Sequence, residues 1–310
     1  EREGRAWHDL VMRVTELQVY PVKSLGGVSV GTSVVEPWGL AGDRRWGLVD
    51  DGGEMVTARE AHQLLALRAE PVEDGRIRLV ARGDASILVD TPLGLGPVPI
   101  NLSRQASAVP ADEDVNDWLT GQVGRRVRLV WQEDPTARTV AEPMGGMPGD
   151  HLSLADAGPV LLTSQASLEQ LNDWIEEDRS EQDGGEQDGG EQDGGEQDGG
   201  EQDAGGLGRP GRLTMQRFRP NVVIDGGTPF EEDGWPTVRI GDVDFRTTMV
   251  CDRCVMTTID AVSLLGGPEP IRTLARHRRW EGATWFGTRL VALGVGTVRV
   301  GDAVSPGIRV

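Results

Sequence analysis

Two cysteines stand three residues apart as Cys251-Asp252-Arg253-Cys254, directly before Val255-Met256-Thr257-Thr258-Ile259-Asp260. A guanidinium beside a thiol stabilises the thiolate, which is the form that attacks electrophiles and binds soft metals. Several readings suit the pair. A C-x-x-C redox couple of the thioredoxin kind sits at a helix start after a strand, whereas Val255 to Ile259 reads as a β-type run. Half of a zinc or iron–sulfur site would lack its other two sulfurs, because the sequence holds no further cysteine. A single soft thiolate could hold a transition metal whose remaining ligands come from a cofactor. Composition alone also admits two buried structural cysteines.

Other chemistries find no support. His8, His62, His151 and His277 show no HExxH spacing and no cysteine at zinc-finger distance. The GxSxG elbow, the GxxxxGK[ST] loop and a GxGxxG after a strand are all absent. What remains is a set of basic islands: Lys23-Ser24, Arg44-Arg45, Arg217-Phe218-Arg219-Pro220-Asn221, and Arg253 beside the cysteines. Guanidinium forks take phosphate bidentately, and a Lys or Ser can complete the cradle. Gathered by the fold, these residues define a pocket for an anion; singly, each would be a surface salt bridge or a packing stem.

The elements that must gather them are mostly strands. From Met12 to about Trp131, short alternating runs such as Val14 to Tyr20, Val28 to Val30 and Arg76 to Val80 lie between Gly, Pro and Asp turn signals. One helix from about Asp112 carries Val115, Trp118 and Leu119 on one face, and Val127 to Trp131 is a strand. After the Pro- and Gly-rich stretch 143–149, Val160 to Leu162 runs into Ser167, which with Gln170 can close a capping box. Leu168, Leu171, Trp174 and Ile175 then mark a helix to about Glu177. Strands are expected at 221–224, 237–240, 243–246 and 297–300, with a helix from about Pro270 to Arg279.

At 310 residues, two domains are expected. The net charge of −19 is inflated by five tandem units from Glu181 to Gly205, EQDGG four times and then EQDAG; their ten carboxylates leave the remainder at −9. A moderately acidic remainder predicts no nucleic-acid or anionic-membrane partner. The repeat lacks apolar residues, so 179–208 is expected to be a disordered, dispensable insertion, with weak cation binding as the lesser reading. No apolar run reaches 18 residues, and Glu1 to Leu10 lacks a secretory core, so a cytoplasmic protein is expected. Two cysteines make no disulfide framework, which fits a reducing compartment. Residues 1–11 stay outside the fold reasoning.

Seven motifs, in order, carry a resemblance: Tyr20-Pro21-Val22-Lys23-Ser24, Gly42-Asp43-Arg44-Arg45-Trp46, Met55-Val56-Thr57-Ala58-Arg59, Phe218-Arg219-Pro220-Asn221, Gly241-Asp242-Val243, the cysteine motif with Thr257-Thr258-Ile259-Asp260, and Gly301-Asp302-Ala303-Val304. Over about Met12 to Val304 the chain resembles MOSC-domain proteins with an N-terminal β-barrel, the mitochondrial amidoxime-reducing components and their bacterial relatives above all. The likeness implies a β-rich α+β fold. An N-terminal β-barrel-like domain at 12–135 would pack on a C-terminal MOSC β-barrel domain at 150–306 that carries a few helices.

It also implies a molybdenum cofactor, in which a molybdopterin dithiolene grips the metal and Cys254 adds one sulfur. Motif position gives Lys23, Ser24, Arg44, Arg219 and Asn221 to the pterin and its phosphate. Ser164 falls at a cofactor-contacting serine of the family, and Asp252 and Arg253 line the metal pocket. The family often has Ser where Asp252 stands, which puts a carboxylate near an anionic centre. Pyridoxal phosphate binding attaches to the family only, with no residue of this chain assigned. The implied activity is two-electron reduction of small N-hydroxylated compounds by oxygen transfer to molybdenum, with Cys254 and Arg253 as the catalytic residues. Because some bacterial relatives carry their own ferredoxin domain and this sequence shows no further cysteines, electrons are expected from a separate protein: a ferredoxin, a flavoprotein reductase or a cytochrome b5-like donor. The competing implication is a cofactor-binding module or persulfide carrier, in the manner of molybdenum cofactor sulfurase.

Overall fold

The computed structural model describes residues 12–185 and 211–307. Its largest sheet runs Val28–Val30, Arg13–Val19, Val222–Asp225, Val160–Ser164, Ala283–Ala292, Val243–Asp252, Thr237–Ile240, Val304–Gly307, with Arg279–Trp280 pairing to the side of Ala283–Ala292. Its neighbours are antiparallel except Val160–Ser164 beside Val222–Asp225, a parallel pair whose crossover contains a helix. Alternation sets the faces: Val243 and Phe245 are buried while Asp244 between them is exposed. Leu17, Leu162, Val222, Ile240, Phe245 and Leu290 build one core from this sheet.

The other half is a five-stranded sheet ordered Val98–Leu102, Gln105–Pro110, Arg128–Trp131, Trp46–Val49, Met55–Val56, beside the meander Arg68–Pro71, Ile77–Val80, Ser86–Val89. Helix α1 (Glu113–Val123) lays Val115, Leu119 and Val123 on it, with Trp118 half-buried against the same core. Gly124 ends α1 in the left-handed conformation, its N–H closing on the Thr120 carbonyl at 2.9 Å. The chain is thus the β-rich α+β protein that the sequence implies, with three α-helices among the described residues.

The strands do not divide at the linker. Arg13–Val19 pairs with Val222–Asp225, and Thr32–Glu36 pairs with Gly296–Arg299. Val14, Leu17, Val19, Val35 and Leu40 accordingly pack in the C-terminal core. The first segment of the chain belongs in space to the second half, which carries Lys23 and Ser24 to the junction.

Helix α2 (Gln165–Gly185) buries Leu168, Leu171 and Ile175, as the periodicity predicts. Its start differs from the expected capping box: Ser164, not Ser167, accepts the first-turn bond, from the Ser167 N–H at 3.1 Å. The helix also passes Glu177 and overlaps the segment expected to be disordered, so residues 179–185 are helical. Asp178 holds this turn, accepting from Arg276 at 2.5 Å and from the Thr273 hydroxyl at 3.2 Å. Residues 186–208 of that expectation lie outside the described residues. Helix α3 (Ile271–His277) crosses α2 through the Trp174–His277 stack at 4.3 Å. Among the described residues, no helix is long and apolar enough to cross a membrane.

Candidate functional site

The strand predicted at 243–246 extends to Asp252, because Thr247 to Val250 continue pairing with Ala283–Ala292. Two register shifts, between Thr247 and Met249 and between Val250 and Asp252, bulge its end, although Asp252 still pairs with Trp285. Cys251 rides that bulged end. Val255–Thr258 is then a 3-10 turn rather than the expected β-type run, with Cys254 at its N-terminal boundary. The Cys254 carbonyl accepts the Thr257 N–H at 3.1 Å and the Thr257 hydroxyl at 3.0 Å. A helix-like turn therefore does follow the cysteines, which removes the ground given above against a redox pair. Cys251 is buried and Cys254 half-buried, and both are free thiols.

Both sulfurs line one cavity of about 410 Å³. Around it stand Lys23, Arg44, Arg59, Arg217, Arg219, Arg253 and Arg289, against two carboxylates, Asp156 and Asp252. So cationic a wall stands against the net charge of −19 of the chain. Low-dielectric walls around like charges focus their field on whatever enters.

Backbone strain marks the same residues. Ser24, Arg44 and Arg219 have φ of 72°, 49° and 55°, the left-handed region that side chains with a Cβ avoid. Tertiary bonds accompany the first two conformations and a local turn the third. The Arg44 N–H donates to the Tyr20 carbonyl at 2.7 Å and the Lys23 N–H to the Trp46 carbonyl at 2.8 Å. Arg219 closes the 3-10 turn Met215–Phe218 through the Gln216 carbonyl.

Asp43 organises the cradle from behind. Almost wholly buried, it accepts the Tyr20 N–H at 2.8 Å, the Asn221 amide at 3.0 Å and Arg44 at 2.6 Å. Asn221 in turn accepts from Arg44 and from the Leu161 N–H, both at 3.1 Å. The guanidinium carbons of Arg44 and Arg219 lie 4.6 and 4.3 Å from the Tyr20 ring centre. Burial pushes the Tyr20 hydroxyl up to about 12 and Arg219 down to about 10, whereas Asp43 more than offsets burial at Arg44 and raises it.

On the opposite wall, Asp156 ion-pairs with Lys23 and accepts Arg59 at 2.8 Å. Burial lowers Lys23 despite that partner. Arg59 is raised by Asp156 first and by the neighbouring Cys254 sulfur as well. Asp252 ion-pairs with Arg289, so the carboxylate that replaces the family's serine is compensated within the wall. Arg253 reaches the Phe286 and Phe218 carbonyls at 2.8 and 3.3 Å, and burial lowers it.

Two guanidinium nitrogens of this wall stay unsatisfied: Nη2 of Arg219 and Nη2 of Arg253 are buried without a hydrogen-bond partner among the described residues. Orphaned buried donors on cations are costly unless a ligand meets them. They suit an anionic group entering the cavity. Among the described residues no three His, Cys, Asp or Glu side chains cluster, so a metal here would have to bring most of its ligands with it.

Lys23, Ser24, Arg44, Arg219, Asn221, Asp252, Arg253 and Cys254 are all brought to the cavity. Ser164 is not. Its buried hydroxyl bonds the Ser167 hydroxyl at 2.7 Å and Glu232 at 3.3 Å while capping α2, so its place in the fold is a helix start, not the cavity wall. Sequence reasoning passed over Tyr20, Asp43 and Arg59 as individuals, although each lies inside a motif quoted for the resemblance. Asp156 and Arg289 carried no local signal.

Residues 11–126 match the MOSC N-terminal beta barrel domain and residues 149–305 match the MOSC domain. Mitochondrial amidoxime-reducing component 1 of Mus musculus is 28% identical, over 94% of this chain and 81% of its own length. Mitochondrial amidoxime reducing component 2 of Bos taurus is also 28% identical, over 94% and 82%. Molybdenum cofactor sulfurase of Oryza sativa subsp. japonica is 28% identical over 88% of this chain but only 31% of its own length.

Proposed function

The chain belongs to the MOSC domain family, and on that premise we propose that it is a molybdenum-cofactor-dependent reductase of N-hydroxylated compounds. One observation carries the reading: two of the arginines lining a cation-rich cavity, Arg219 and Arg253, each keep a buried nitrogen without a partner among the described residues, and the same cavity is lined by a half-buried cysteine. That donor set fits an anionic cofactor which supplies its own metal ligands and asks one sulfur of the protein. Lys23, Ser24, Arg44, Arg219 and Asn221 would hold its pterin and phosphate, and Cys254 would give the sulfur. When bound, the molybdenum centre supplies two-electron oxygen-atom chemistry.

The protein's own groups supply position and charge. Arg253 and Arg59 offer N–H donors beside the thiol, where negative charge develops on the oxygen leaving nitrogen. The phenylalanines under Arg253 keep water from its buried nitrogen. The overall reaction consumes two electrons and two protons and releases amine or amidine and water. We assign the electrons to a separate donor protein, in keeping with the ferredoxin, flavoprotein or cytochrome b5-like partner expected above.

Metal analysis of wild type beside Cys254→Ser, with benzamidoxime reduction under a chemical reductant, tests the reading. Stoichiometric molybdenum with no reduction of any amidoxime or hydroxylamine would sink it. The second cysteine in the same cavity favours one alternative, a persulfide carrier. Metal-free protein that releases thiocyanate with cyanide would establish that role instead.

A further inference from the structure

A second cavity, of about 400 Å³, opens beside the first and shares Lys23, Arg59 and Asp156 with it. Glu54, Met55, Glu60, Asn101 and Leu102 complete its wall, so the N-terminal half builds almost all of it. Glu54 is fixed in two ways: its backbone bridges Asn101, and its carboxylate accepts the Asn101 amide at 2.7 Å. Gly53, at φ 82°, lets that bridge form, since a Cβ there would stand 2.9 Å from the Pro99 carbonyl oxygen. Glu60 accepts the Thr57 N–H at 3.3 Å and Arg125 at 3.1 Å.

The electrical character inverts between the two spaces. Apart from the shared residues, the charged groups of the outer cavity are both carboxylates, Glu54 and Glu60. Its two cations, Lys23 and Arg59, are both engaged by Asp156. A negatively charged body resting there would face Glu54, with the nearest cations already turned toward Asp156, whereas a positive one would find Glu54 answered only by a neutral amide. Met55 and Leu102 add an apolar surface for a flat ring. Arg59 joins the spaces, with one nitrogen on Asp156 at 2.8 Å and the Cys254 sulfur beside it.

We propose that the outer cavity seats the organic body of the substrate and selects small organic bases bearing positive charge, with Glu54 the principal selecting residue and Glu60 the lesser one. The identity of the reacting N–O group rests on the reductase reading; the charge selection does not. Reduction of an amidoxime to an amidine also creates a cation, and the same carboxylates are there to receive it.

Titration calorimetry of benzamidinium and of benzoate against the purified full chain tests this. Wild type should bind benzamidinium and discriminate against benzoate. Glu54→Gln should weaken benzamidinium about fivefold, the effect of one unit charge met at about 4 Å in water. Glu54→Lys should weaken it further and strengthen benzoate. Glu60→Gln should do less, because Arg125 already engages that carboxylate. A kinetic arm compares two amidoximes of one scaffold, one ending in trimethylammonium and one in carboxylate: KM should rise for the first and fall for the second in Glu54→Lys. Benzamidinium binding that is equal in Glu54→Lys and wild type, or wild-type binding of benzoate as tight as benzamidinium, overturns the proposal even with reduction intact. Charge-selective binding without any N–O reduction supports the outer cavity and removes the reductase reading alone.

Discussion

Arg219→Met separates stability from ligand binding more sharply than any other change in this molecule. Burial holds the guanidinium at about 10 against an ordinary 12.5, a penalty on the charged form of about 3 kcal/mol. A base whose folded value is lowered loses stability wherever it stays charged, so the penalty is complete at neutral pH and fades only as pH rises through about 10. Methionine keeps the apolar stem and removes both the charge and the orphaned Nη2. It forfeits the contact with Tyr20 at 4.3 Å, worth about 1 kcal/mol. The ligand-free variant should therefore be more stable by about 2 kcal/mol, a rise in Tm of about 3 °C for a protein of this size. The same variant should lose molybdenum, because the donor that an anionic cofactor would meet is gone. Differential scanning calorimetry of the metal-free chain, with metal analysis after expression in molybdate-supplemented cells, reads both quantities. If ligand-free Arg219→Met melts lower than wild type, or keeps stoichiometric molybdenum, then the orphaned guanidinium is not a ligand's partner held at the expense of stability.

Asp43→Asn should act in the opposite sense. It strips the buried counter-ion from Arg44 and turns an acceptor of three bonds into a mixed group, a loss of about 3–5 kcal/mol; Tm should fall by about 5–8 °C, with molybdenum content falling too. At Asp156, burial alone would raise the carboxyl, but Lys23 and Arg59 hold it well below the usual carboxylate range. Its stabilisation is then complete above the ordinary value of 3.8 and is lost as pH falls through the lowered folded value. Asp156→Asn should consequently lower Tm at neutral pH, modestly because the carboxylate is exposed and screened, and leave the most acidic end unchanged, so that the acid limb of a Tm-against-pH curve flattens; an unaltered acid limb would contradict the clamp.

The acidic insertion shows how local composition can misplace an element's end. Gly and charge argue for disorder from residue 179, yet α2 continues to Gly185 because Asp178 is anchored by Arg276 and Thr273, residues about a hundred positions away. The cysteine motif misled in another way. Val255 to Ile259 are good strand formers, but pairing with Ala283–Ala292 runs out at Arg253, whose N–H meets the Thr284 carbonyl, and a 3-10 turn follows. Ser164 was placed at the cofactor by motif position alone, and the first turn of α2 claims it.

Residue type and order were enough to name the chemistry: a soft sulfur, a scatter of guanidinium groups in an acidic chain, and seven motifs in sequence that imply a β-rich α+β fold. Period-two alternation and one-sided helical faces need no distant partner, so most strands of the main sheet and the buried faces of α1 and α2 were legible, whereas Ala283–Ala292, buried along its length without alternation, and Val304–Gly307 were not. Assembly was not. Pairing of Arg13–Val19 with Val222–Asp225 joins positions some two hundred residues apart, and it moves the start of the chain into the second core. Arg219 turns on a local bond to Gln216, but left-handed backbone at Ser24 and Arg44 accompanies tertiary bonds between their two loops, from the Lys23 N–H to Trp46 and from the Arg44 N–H to Tyr20. Arg289 and Asp156 enter the site for the same reason, because a charge becomes part of a pocket only when the folded chain fixes what stands opposite it.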